Sequence, residues 1–175
     1  MRRPIAAVGS AVFFLAGPGV FVGLIPWWLT RWRVRQPVRY WAPMRGFGVL
    51  LLVGGLGVLI QAFARFVAEG RGTPVPAAAP ERLVVGGPYR HVRNPMYVAM
   101  LAAIIGQALL LGQLRLLLFP AAFWSVVAAY VRWREEPALV RRFGADYRVY
   151  RRAVPAWWPR LRPWSPSEGD GSGTR

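Results

Sequence analysis

The chain has no cysteine and no lysine, a single histidine, and seven acidic residues among 175. Without cysteine there is no disulfide, no thiolate metal site and no cysteine nucleophile. One histidine and so few carboxylates also argue against a metal cluster, and no metal is expected. All 23 basic residues are arginine, and the formal net charge is +16. A nucleic-acid binder shares such a charge but not the long apolar runs found here. The chain is 55% hydrophobic, with a mean hydropathy of +0.30. These values fit a membrane protein with basic loops, so the expected partners are membrane lipids and a lipophilic small molecule, and no nucleic acid. Nine tryptophans suit headgroup depth, where an amphipathic ring is at home, and serve equally as core aromatics. Nothing in the sequence fixes an oligomeric state.

Four apolar segments set the architecture. Residues 5–29 are uncharged and long enough for the ~20 residues that cross a bilayer. Gly17-Pro18-Gly19 and Pro26 are expected to kink this segment, because neighbouring helices can satisfy the freed backbone groups. Arg2-Arg3 ahead of an apolar run resembles a signal peptide, but the run is long and Pro26-Trp27-Trp28 replaces a small-residue cleavage site, so an uncleaved span is expected. Residues 44–68 form the second span, with Arg45 and Arg65 near its ends, free to snorkel. Its Gly46, Gly48, Gly54, Gly55 and Gly57 permit close helix contact. A loop covers 71–95, with a Pro/Ala-rich, extended stretch over 73–80 and a turn at Gly86-Gly87-Pro88. Pro95 can open the third helix, which runs over 96–111. Residues 112–115 are a tight connection and 116–131 return as the fourth span. Residues 133–150 read as an amphipathic interfacial segment, with Pro137, Val140, Phe143, Tyr147 and Tyr150 at helical spacing and arginines elsewhere. Gly144 is expected to break that segment, and 165–175 are expected to be disordered.

Arginine sets the orientation, since cytoplasmic loops carry the excess of positive charge. With four crossings, the side bearing both termini holds sixteen arginines and the other side six. Both termini are therefore expected in the cytoplasm, with the plasma membrane as the natural location. The arginines between Arg31 and Arg45 argue locally against this, and a re-entrant first segment would remove that conflict.

The polar passage Gly86-Gly87-Pro88-Tyr89-Arg90-His91-Val92-Arg93-Asn94-Pro95-Met96-Tyr97 runs straight into an apolar helix. One hairpin later comes Glu135-Glu136-Pro137-Ala138-Leu139, then Phe143-Gly144, Asp146-Tyr147, Tyr150 and Val154-Pro155. Carboxylates at membrane depth are costly and seldom unpartnered. The paired stretches, over roughly 81–159, resemble the signature of the integral-membrane methyltransferases that include isoprenylcysteine carboxyl methyltransferases and phospholipid N-methyltransferases. The resemblance implies an S-adenosylmethionine site made by the two elements that flank the hairpin. It implies that Glu135 holds the cofactor's ribose or amino group, that Tyr89, Asn94, Pro95, Met96 and Tyr97 form the other half, and that Leu83 and Val84 border it. Many family members carry His where Asn94 stands, and Asn cannot act as a base near neutral pH.

The residues also admit plainer roles. Both glutamates could simply pair with Arg93, Arg132 or Arg134, and the tyrosines could be interfacial anchors. His91 has a pKa suited to a general base, but lies three residues before the family's usual His position. Arg93 and Arg132, through guanidinium forks, and Glu136 are the candidates for holding an acceptor's polar end. The expected organisation is therefore all-α and polytopic. Residues 1–68 supply N-terminal spans, 69–164 the methyltransferase core, and 165–175 a tail. The expected activity is S-adenosylmethionine-dependent methyl transfer to an isoprenoid-linked carboxylate, a phospholipid amine or a similar amphiphile. The alternatives are an NADPH-dependent sterol-type reductase, whose Arg-x-Pro-Asn-Tyr element resembles the same region but has Asn where Met96 stands, and a non-catalytic membrane scaffold.

Overall fold

The computed structural model describes residues 16–70 and 82–165. These form an all-helical assembly. Helix α1 spans Ala16–Thr30 and α2 spans Ala42–Gly70. Helix α3 spans Pro95–Leu111, α4 spans Leu118–Tyr130 and α5 spans Glu136–Ala153. A π-helical turn at Val131–Glu135 joins α4 to α5, so one continuous helix runs over Leu114–Ala153. The helix that carries the fourth apolar run thus does not stop at 131. The segment after it extends the same helix, and Gly144 (φ 53°, ψ −119°) kinks it where a break was expected.

Two helices, Ala42–Glu69 and Leu114–Ala153, are long and apolar enough to cross a membrane, while α1 and α3 are shorter apolar helices. At 1.5 Å per residue, α2 covers roughly 43 Å against the ~30 Å hydrocarbon layer. Its outer face carries Leu50 at 71% and Val53 at 64% exposure, and α4 carries Leu118 at 74% and Val126 at 70%. A water-soluble protein seldom leaves so contiguous an apolar surface bare, and such a face suits contact with lipid. The expected disorder of the tail after 165 and the extended 73–80 stretch lie outside the described residues, as does the first part of the 5–29 segment.

Helices α2 and α3 are antiparallel and nearly touch backbone to backbone. A Cβ on Gly48 would sit 2.7 Å from the Gly106 carbonyl oxygen, and one on Gly55 would sit 2.8 Å from the Ala99 carbonyl oxygen. Of the five glycines expected to permit close contact, these two do so, whereas Gly46, Gly54 and Gly57 face open space. Gly55→Ala should therefore lower the thermal midpoint in detergent, at a cost of ~1–3 kcal/mol from overpacking, and Gly54→Ala should not. Equal midpoints for the two variants would remove this account of the helix pair.

The kink expected near Pro26 has a specific form. Residues Gly19–Leu24 wind as a π-helix, and the Ile25 N–H donates to the Val20 carbonyl. Pro26 has no N–H to give the Val22 carbonyl four residues back. The buried Gln107 amide of α3 donates to that carbonyl instead, at 2.7 Å, and so ties α1 to α3. Phe21 packs on Phe123 of α4 with centroids 5.1 Å apart.

Hydrogen bonds gather the loops into two ends. At one end the Arg35 N–H donates to the Leu111 carbonyl, at 2.7 Å. There Gln113 also donates to the carbonyls of Thr30 and Arg33, and Trp41 Nε1 to that of Leu109. At the other end the Gly86 N–H donates to the Glu69 carboxylate at 2.9 Å. The Arg31–Arg45 stretch therefore lies at the end of the helices opposite the 82–94 loop. The candidate site is at the loop end.

Candidate functional site

Three strips of chain meet at the loop end: residues 82–94, the junction of α4 and α5, and a strap over 154–164. The loop is pinned first. Glu69, the last carboxylate of α2, accepts from Gly86 and pairs with Arg65 at 3.2 Å. Gly87 takes a positive φ of 55°, which glycine adopts without steric cost, and opens a 3₁₀ turn over Gly87–Arg90. That turn drives Tyr89 inward against Ala62 and Val84, with Phe66 and Met96 beside them. The Tyr150 hydroxyl donates to the Tyr89 carbonyl at 2.7 Å.

The strap is stitched to the loop main chain. The N–H groups of Arg93, Arg160 and Trp164 donate to the carbonyls of Pro155, His91 and Arg90, at 2.9, 2.9 and 3.0 Å. Side chains reinforce these bonds. Arg90 Nε donates to the Trp164 carbonyl at 2.6 Å, and the Asn94 amide to that of Ala156 at 3.1 Å. His91 Nδ1 lies 2.8 Å from the Arg160 carbonyl. A carbonyl only accepts, so Nδ1 carries the proton and donates. His91 and Asn94 are thus both committed to holding the strap.

Next to the strap sits a buried ion pair. Arg93 donates to Glu136 at 2.6 Å, to the Tyr147 hydroxyl at 3.1 Å and through Nε to the Val154 carbonyl at 2.9 Å. The two charged side chains are 11% and 7% exposed. Arg151 approaches Glu136 at 3.2 Å, and the largely exposed Arg132 at 3.9 Å. Glu136 is therefore surrounded by guanidinium groups.

Glu135 differs in every respect. It closes the π-helical turn, a local widening often found at functional positions. Arg93 pairs with Glu136 and not with Glu135. The partner of Glu135 is the Tyr97 hydroxyl, and among the described residues Glu135 forms no ion pair. Tyr89 lies close enough to feel its charge. The Tyr89 phenol is pushed well above its ordinary value, first by burial and then by Tyr150 and Glu135. It stays protonated and keeps a proton to donate.

The structure thus divides the residues singled out in the sequence. Tyr89 and Tyr97 lie near the Glu135 carboxylate, and Val84 and Met96 pack against Tyr89. Arg93 and Glu136 form a neighbouring ion pair, with Arg132 at its exposed rim. Asn94 and Pro95 are buried at the start of α3, while Leu83 packs with the cluster of Tyr147, Tyr150, Val154 and Trp164. Sequence reading gave no role to Glu69, and placed Tyr147 and Tyr150 on the apolar stripe of an interfacial segment and Arg151 among its headgroup-facing arginines rather than at the site. Glu69 had a signal, being the sole acidic residue in the first 80. Tyr147 and Tyr150 were among the residues carrying the resemblance, but nothing in their spacing showed that they reach back to Arg93 and the Tyr89 carbonyl.

At one end of the tight α2–α3 hairpin a carboxylate without an ion pair among the described residues thus lies near two tyrosines. The chain belongs to the phospholipid methyltransferase family, which matches residues 44–146, from the start of α2 to just past the Gly144 kink. It is also similar to the protein-S-isoprenylcysteine O-methyltransferase of Schizosaccharomyces pombe (strain 972), with 34% identity over 100 residues. That match covers 57% of this chain and 39% of the relative, so the similarity extends over about two fifths of that protein. No solved structure matches. The resemblance seen in the two polar stretches is borne out, and the family match extends it back through α2.

Proposed function

We propose that the protein transfers a methyl group from S-adenosylmethionine to a lipophilic acceptor at the membrane. The observation that carries this reading is the contrast between the two glutamates. Glu136 is held by Arg93, whereas Glu135 forms no ion pair among the described residues and has its carboxylate oxygens open to an ammonium or a ribose diol. The donor set fits the cofactor. Besides that carboxylate there are two tyrosine rings, able to meet a cation face-on. The first-turn N–H groups of α3, which lack intrahelical acceptors, suit a carboxylate end. When bound, S-adenosylmethionine supplies a methyl group on an electrophilic sulfonium.

The chain's own residues then divide the labour. Glu135, Tyr89 and Tyr97 bind the cofactor, and Val84 and Met96 wall it. Arg93 and Glu136 position the junction by fixing loop, helix and strap together. Arg132, exposed at the rim, is the cation free to receive an acceptor's anionic end. His91 spends Nδ1 on the strap and lines a groove that Glu135, Tyr89 and Tyr97 do not line, so its free Nε2 is not placed as a base at the cofactor end. A carboxylate acceptor needs none, since alignment with the methyl group suffices, and this favours O-methylation of an amphiphile over N-methylation. Both comparisons are with methyltransferases, so neither lends support to a nicotinamide-dependent reductase.

We further propose four crossings with both termini in the cytoplasm, the methyltransferase core lying in 69–164. Support comes from the two-ended arrangement of the loops together with the sixteen-to-six arginine distribution. Reporter fusions near Gln36 and at the C-terminus should report opposite sides of the membrane, and the same side for both would overturn the topology.

The activity is tested by titrating the purified protein in detergent with S-adenosylmethionine and then supplying membrane lipid extract. Saturable binding followed by methyl label in an extractable lipid is expected. Folded protein that shows no cofactor binding would refute the assignment.

A further inference from the structure

A second groove lies on the other side of α3. Val98, Ala99 and Ala102 are turned away from Tyr97 and Ile104 by the helical period, and with Gly54 and Val58 of α2 they line a cavity of about 640 Å³. That volume is in the range of small-molecule sites. Its floor is apolar and open because Gly54 has no side chain and nothing lies within 4 Å of where a Cβ would be. Its mouth is not apolar. Arg65, Arg90 and His91 all line it at the loop end.

Each of these three groups has capacity left over. Arg90 uses only Nε, on the Trp164 carbonyl, and its two terminal nitrogens have no partner among the described residues. Arg65 spends one terminal nitrogen on Glu69. His91 uses Nδ1 on the strap and leaves Nε2. Two guanidinium groups above an apolar channel are complementary to an anion that carries a hydrocarbon chain. Paired guanidinium donors suit phosphate best.

We infer that this groove binds an anionic phospholipid, with its phosphate between Arg65 and Arg90 and an acyl chain over Gly54. The groove is separate from the Glu135 site, and the inference holds whether or not the protein is a methyltransferase. The lipid would brace the loop that carries Tyr89. The Arg65 stem already packs on Gly87, 3.0 Å from where a Cβ would lie, and Arg90 is bonded to the strap. One phosphate would thus join α2, loop and strap.

The test uses the whole chain in phosphatidylcholine nanodiscs doped with phosphatidylglycerol, without cofactor or methyl acceptor, and counts retained lipids by native mass spectrometry. Wild type should retain one phosphatidylglycerol in preference to phosphatidylcholine. Removing charge-assisted hydrogen bonds in the Arg65→Ala/Arg90→Ala double variant should reduce that retention about tenfold or more. A Cβ at Gly54 meets nothing within 4 Å, so Gly54→Leu projects into the floor and keeps every charge. It should reduce retention as strongly while leaving the thermal midpoint unchanged, which covers the case of a poorly folded double variant. Equal retention of both lipids by wild type would mean that only bulk bilayer lipid is held, and would overturn the site. Undiminished phosphatidylglycerol in Gly54→Leu, or in a folded double variant, would overturn it too.

Discussion

Glu136→Gln should lower the thermal midpoint of the purified protein substantially, with a stability loss of about 3 kcal/mol. Breaking a buried pair from one side leaves the other charge uncompensated, and such losses run to ~3–5 kcal/mol. The pair in question is buried at both ends, with 11% and 7% exposure. The lower part of the range applies because Arg93 keeps its bonds to Tyr147 and the Val154 carbonyl. Arg93→Met removes the other partner and should cost as much or more, because it also frees the strap carbonyl. Thermal unfolding in detergent measures both. A midpoint for Glu136→Gln within a degree of wild type would show that the pair is not what holds the junction.

Glu135→Gln should do the reverse. The fold should melt near the wild-type temperature, because this carboxylate has no arginine to strand. Affinity for S-adenosylmethionine should fall roughly ten- to a hundredfold, the worth of one charge-assisted hydrogen bond. Isothermal titration or equilibrium dialysis of the detergent-purified variants would read the difference. Glu136→Gln, measured below its own melting temperature, should lose less affinity than Glu135→Gln. If the order is inverted, Glu135 is not the cofactor's acceptor. Tyr97→Phe offers a finer reading. It removes the hydroxyl that orients Glu135 and should weaken binding by a smaller factor, without the stability loss seen for the ion pair.

Much of this fold could be read from the sequence because membrane helices announce themselves by long apolar runs. Helix α3 was expected over 96–111 and is found at Pro95–Leu111, since proline, with no donor to waste, marks a first turn. The kink around Gly19 and Pro26 was legible for a similar reason, as proline's missing N–H is a local property. The partner that fills the vacancy, Gln107, was not, because eighty-five residues separate it from Val22. Residues 133–150 show the opposite limit. Their charge pattern is that of a helix lying on a surface, and local pattern alone could not reveal that a π-turn would carry α4 into α5 without interruption.

The polar residues that gather at the loop end could be singled out in the sequence, but their pairings could not. Glu135 and Glu136 are adjacent and chemically identical, and only the helix direction at the π-turn decides which of them meets Arg93. The arginines posed the same difficulty. Arg93 and Arg132 looked equivalent as hands for an acceptor, yet one is buried in an ion pair and the other stands at the rim. His91 and Asn94 invited a chemical role because the side chains are capable of one. Their commitment to main-chain carbonyls of residues 156 and 160 depends on a strap whose path no local spacing reveals.

The strap also fixes when, during synthesis, the site comes into being. Residues 154–164 are the last of the described chain to leave the ribosome, and Arg93, Asn94, His91 and Arg90 await their carbonyl and N–H partners until then. All the helices can already be in the membrane while the cofactor end is still open. A chain stopped after Ala153 should therefore insert normally yet fail to retain S-adenosylmethionine. Premature termination or proteolytic clipping there is expected to leave the helices formed and the loop end without the strap that holds Arg90, His91, Arg93 and Asn94.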